Sequence, residues 1–177
     1  MHIWTAINVE EQLTELKSKI KEIEKQVGII DSVVNLPLHI SLKISFAIGD
    51  DLYEKAVALL QNYYKSLSPF DVDIDKIERE GSIIWIRIKE SDTLTGIHND
   101  LDKLVLENLG IPPHKFDLEY KFHITLFMDG SDNKISSAYN LIKGAALPKK
   151  LCASHMVIGS SKTGAAGTYH VDKNIEI

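Results

Sequence analysis

Apolar and polar positions follow two rhythms along this chain, and together they predict an α+β order of elements. Residues 1–8 read as a strand, and over residues 10–27 Leu13, Leu16, Ile20, Ile23 and Val27 recur at steps of three and four, one stripe of a helix that Gly28 ends. Residues 38–48 then alternate: Ile40, Leu42, Ile44 and Phe46 take one face, His39, Ser41, Lys43 and Ser45 the other. Asp50 opens a second helix, carrying Ala56, Val57, Leu60, Tyr63, Tyr64 and Leu67, and Pro69 stops it before the alternating run Phe70, Val72, Ile74, Ile77. A turn at Gly81 leads into a strand over 83–88. Ser91 or Asp92 caps a third helix with Leu94, Ile97, Leu101, Leu104 and Leu109 inward, closed by Gly110. The remainder reads as a strand over 120–128, a helix over 132–143, a strand over 151–158, a Gly/Ser-containing connection over 159–167 and a last strand over 168–175.

The order repeats. Ile3-Trp4 lies over Ile84-Trp85 at an offset of 81 residues, and His39-Ile40-Ser41-Leu42 over His123-Ile124-Thr125-Leu126 at an offset of 84, with a helix between the members of each pair. This predicts a single domain over residues 1–177 built from two pseudo-symmetric halves, about 1–80 and 81–177. Both tryptophans are expected in the core.

Charge and cysteine content narrow the chemistry. A formal charge of −5 argues against gripping long nucleic acid through a broad basic surface, because such binding rests on neutralising phosphates. The acidic run Asp71, Asp73, Asp75, Glu78, Glu80 alternates with apolar residues as a solvated face. Cys152, the single cysteine, allows no intramolecular disulfide and no Cys-based zinc cage, and its apolar setting reads as a buried thiol. With no signal-like start and no membrane-length apolar run, the expectation is a soluble, cytoplasmic protein without membrane association, and a monomer.

The two His-x-Ser/Thr runs carry the candidate chemistry. One such run is expected by chance among seven histidines; two in matching strands of an apparent repeat are not. Period two places each histidine and its hydroxyl partner on one face, so two facing strands would gather two imidazoles and two hydroxyls around one small anion. A neutral imidazole can take a proton while an imidazolium gives one, and the hydroxyls can donate to nonbridging phosphate oxygens. The partner on each strand is a hydroxyl instead of a third histidine or a carboxylate, so no metal is expected. Lys43 extends the first face with a positive charge for phosphate, and Phe127 holds the matching place after Thr125, a candidate base contact. His2, His98, His114, His155 and His170 lack such a setting and read as surface or packing residues.

In motif, strand context and element order, the chain resembles the two-histidine phosphoesterase superfamily, which includes RNA 2′,5′-ligase-like proteins and cyclic nucleotide phosphodiesterases. The resemblance implies a bilobal, duplicated α+β fold of antiparallel sheets flanked by helices, with a central cleft. It implies His39 and His123 as acid and base, Ser41 and Thr125 as phosphate clamps, and Tyr169, an aromatic near the end of some members, as a cleft contact. It further implies metal- and cofactor-independent opening of 2′,3′-cyclic phosphates on nucleotides or RNA ends. Ser41 stands where many relatives have threonine; the hydroxyl is kept. Two other readings remain: action on a 2′,5′ linkage as ligase or phosphodiesterase, and a module that binds nucleotide or RNA ends without turnover.

Overall fold

The computed structural model describes residues 1–30 and 36–177. Twelve principal elements follow the expected alternation: β1 (His2–Asn8), α1 (Thr14–Val27), β2 (His39–Ala47), α2 (Tyr53–Tyr64), β3 (Phe70–Glu80), β4 (Ile83–Ile88), α3 (Asp92–Leu109), β5 (His123–Met128), α4 (Asp132–Ile142), β6 (Lys150–Ala153), β7 (His155–Ser161) and β8 (His170–Glu176). Short 3₁₀ turns lead into α1 and α2. Helix ends follow local chemistry: Ser91 accepts a hydrogen bond from the Leu94 amide at the start of α3, and Gly28 and Gly110 close α1 and α3 at φ 71°, a left-handed conformation that suits glycine.

The strands form two four-stranded sheets, ordered β2-β1-β7-β8 and β5-β4-β3-β6, antiparallel at every described pairing. β1 is buried along both faces, which explains why its sequence runs apolar without alternating. The two motif strands, β2 and β5, are edge strands of different sheets and touch each other. Ile40 and Leu42 on β2, and Ile124 and Leu126 on β5, pack into the main core beneath that meeting point.

Three expectations need correction. The run over 151–158 is not one strand: it breaks at Ser154, with β6 joining β3 in one sheet and β7 joining β1 and β8 in the other, so apolar content continues across a change of sheet. The connection expected over 159–167 is shorter, because β7 runs on to Ser161. Gly159 there is a strand residue opposite Trp4, and a Cβ on it would lie 2.3 Å from the indole Nε1 and 2.2 Å from the His170 carbonyl oxygen. Cys152 is exposed, on the face of β6 opposite buried Leu151 and Ala153.

Candidate active site

Each motif strand is interrupted at the same place. In β2 the register steps from Ser41, opposite Ala6, to Lys43, opposite Thr5; in β5 it steps from Thr125, opposite Trp85, to Phe127, opposite Ile84. Leu42 and Leu126 are the extra residues of two β-bulges. A bulge breaks the strict alternation, so Leu42 and Lys43 are both buried, as are Leu126 and Phe127. The histidine and hydroxyl before each bulge stay half-exposed on the site side.

His39 and His123 wall one cavity of about 270 Å³, together with Ser41, Tyr120, Tyr169 and Trp4. Each ring is fixed twice. His39 Nδ1 lies 2.8 Å from the Pro37 carbonyl oxygen and His123 Nδ1 lies 2.6 Å from that of Lys121; a carbonyl only accepts, so each Nδ1 carries a proton. Each Nε2 is thereby left to accept a proton, or to donate one when the ring is charged. A tryptophan packs against each ring, Trp4 on His39 with centroids 4.8 Å apart and Trp85 on His123 at 4.4 Å. Trp85 is held by its Nε1, which donates to Glu78 at 3.1 Å. Trp4 lies over Gly159, where its indole takes the space of a side chain.

Burial pushes the His39 pKa below its ordinary 6.5 against the Pro37 hydrogen bond, and the nearby His123 charge pushes it further down. Burial also lowers His123, but there the Lys121 hydrogen bond and the Glu80 carboxylate act in the opposite direction. Both rings are poised neutral near pH 7, and only His123 has a carboxylate favouring its charged form.

Other expected residues divide. Tyr169 reaches the cavity, its hydroxyl donating to Ser45 Oγ at 2.9 Å. Thr125 lies on the His123 face of β5, half-buried and paired with Trp85, but does not line the cavity. Phe127, expected as a base contact, is 2% exposed in the main core, turned there by the bulge. Lys43 contributes to the cavity wall, yet its ammonium is not free for phosphate: it is 3% exposed and held by Asp102 on α3 and by Asp117 at 2.9 Å.

Asp117 makes that ion cluster a clamp. Its carboxylate accepts from the Ile44 amide at 3.0 Å and the His114 amide at 2.8 Å, tying the segment before β5 to β2. His98, buried beside it, places Nδ1 2.7 Å from the Leu42 carbonyl oxygen and Nε2 3.0 Å from that of Asp117, and stacks on Tyr120 at 4.5 Å. Among the described residues, His98, Asp102 and Asp117 are the one group with metal-ligand spacing, and the Lys43 ammonium already supplies positive charge to two of them. This pinning explains why the expected strand over 120–128 begins only at His123. The Ile-Trp pair repeated at 3–4 and 84–85 was the available signal for the tryptophans that pack on the histidines; nothing in the linear pattern joins Lys43 to Asp117.

The sequence profile of the 2′-5′ RNA ligase superfamily matches residues 5–164. The chain therefore belongs to that superfamily, and its fold is that of the two-histidine phosphoesterases. A crystal structure described as a phosphoesterase superposes with a TM-score of 0.61 at 14% identity, covering 99% of this chain and 98% of the other. A protein of Thermus thermophilus gives 0.60 at 15% identity over 99% and 97% of the two chains. Escherichia coli LigT complexed with 3′-AMP gives 0.57 at 14% identity over 99% and 97%. At these identities the likeness shows the fold alone. No curated protein matches in sequence.

Proposed function

We propose that the protein is a metal-independent cyclic phosphodiesterase that hydrolyses 2′,3′-cyclic phosphates of nucleotides or short RNA ends, acting as a cytoplasmic monomer. The observation that carries this reading is the pairing of two histidines on one cavity, each with Nδ1 committed to a backbone carbonyl and Nε2 left for proton transfer. The net negative charge supports a small or single-stranded substrate over long duplex nucleic acid.

In this mechanism a water attacks phosphorus and gives its proton to His39 Nε2. The bond from phosphorus to O3′ breaks, and His123 donates its Nε2 proton to that oxygen, leaving a 2′-phosphate and a free 3′-hydroxyl. The Glu80 carboxylate, which favours a proton on His123, supports His123 as the acid and leaves His39 as the base. Ser41 and Thr125 act as the phosphate clamps, donating to nonbridging oxygens as charge builds. Tyr169 holds the cleft wall beside them.

Incubation with a 2′,3′-cyclic mononucleotide in EDTA, followed by phosphorus NMR, tests this. The expected product is the 2′-phosphate. Saturable binding with no product after long incubation would instead make the chain a binding module. Adding an oligonucleotide with a free 5′-hydroxyl examines the family's ligase chemistry, in which that hydroxyl replaces water and a 2′,5′ linkage forms.

A further inference from the structure

A second cavity, of about 370 Å³, adjoins the first and shares Tyr120 as a wall. Its two cations, Arg87 and Lys121, both belong to the surroundings of His123. Arg87 is the register partner of His123 across β4 and β5, and directly opposed residues of an antiparallel pair project from the same face. Lys121 supplies the carbonyl that fixes the His123 ring. Neither cation is deeply committed: Arg87 approaches Asp75 at 3.9 Å and Glu78 at 3.8 Å with its side chain half-exposed, and Lys121 meets Glu80 at 3.4 Å on the surface. Thr95 and Asn99, one turn apart on α3, add neutral donors and acceptors.

We propose that this second cavity is a nucleotide subsite, holding the nucleoside and phosphodiester that precede the reacting end of an oligonucleotide, with Arg87 on the phosphate. The inference rests on the function proposed above and narrows its substrate to RNA ends of two or more nucleotides. Glu90 and Glu119 on the same wall offset the two cations, and Asp117, which also lines it, is already paired with Lys43, an arrangement that suits a singly charged phosphodiester on a neutral nucleoside and disfavours a polyphosphate tail. The 3′ end that carries a cyclic phosphate continues only through its 5′ oxygen, and the adjoining cavity gives that continuation a place beside His123.

Calorimetric titration of the full chain with adenosine 3′-phosphate and with the 3′-phosphorylated dinucleotide ApAp tests the subsite without requiring turnover. The dinucleotide is expected to bind about 10-fold tighter, with a salt dependence steeper by about one phosphate contact. Arg87→Gln should bring the affinity ratio close to one, and Lys121→Gln, at an exposed position, should reduce it in the same direction. Equal affinities in the unaltered protein, or a ratio unchanged in Arg87→Gln, would overturn the subsite. Failure to hydrolyse a cyclic mononucleotide would remove the proposed catalysis while leaving this ratio readable, so the two failures are distinguishable.

Discussion

The protonation of His39 and His123 sets what the site can do. Each ring has a donor nitrogen pinned to a carbonyl and a tryptophan against its face, so geometry leaves only Nε2 free to change state. Acid-base work requires one ring neutral and one charged, and burial pushes both pKa values below 6.5. The profile of kcat/KM against pH should therefore be a bell with its maximum below 6.5: the low limb follows protonation of the base, the high limb loss of the proton from the acid. A rate that keeps rising past neutral pH would contradict it. Tryptophan emission gives the same information without substrate. Trp4 and Trp85 should be quenched as the adjacent imidazoles charge, with midpoints below 6.5. Lys43 makes a different prediction, since Lys43→Met would leave Asp102 and Asp117 facing each other without the ammonium that bridges them. A loss of about 3–5 kcal/mol in unfolding free energy is expected from denaturant titration.

At the scale of elements, the alternation in residues 38–48 shows correctly that His39 and Ser41 share a face, but it carries that face on to Lys43 and Ser45. The bulge at Leu42 buries Lys43, which still lines the cavity, and the bulge at Leu126 is why Phe127 enters the core. Bulges arise from how two strands pair, and one strand's sequence does not contain that information. The same holds for residues 151–158, where one apolar run serves two sheets. Gly159 shows the converse, a residue that reads as part of a loop until the strand beside it is known. A Cβ at Gly159 would meet Trp4 and the His170 carbonyl, so Gly159→Ala should cost about 1–3 kcal/mol and lower the melting temperature. Because the displaced indole supports His39, activity should fall as well. A variant of unchanged stability and rate would show that Trp4 has room to move.

For the whole molecule, two sheets meet through their edge strands, and that meeting makes the cavity. The α+β class and the order of elements were readable because long periodic segments and their caps were clear in the sequence. The repeat of His39-Ile40-Ser41-Leu42 as His123-Ile124-Thr125-Leu126 singled out the two histidines. The residues that set their separation were not readable: Asp117 joins β2 to the segment before β5 across 74 positions from Lys43, and no local pattern marks such a contact. No described helix is long and apolar enough to cross a membrane. The central claim is that His39 and His123 act as one acid-base unit. It is tested most directly by single-turnover rates of the unaltered protein, His39→Ala, His123→Ala and the double variant on a 2′,3′-cyclic nucleotide in EDTA. Each single variant should lose about 10²- to 10⁴-fold, and the double variant should be little slower than the worse single. Rates near that of the unaltered protein in either single variant would contradict the account.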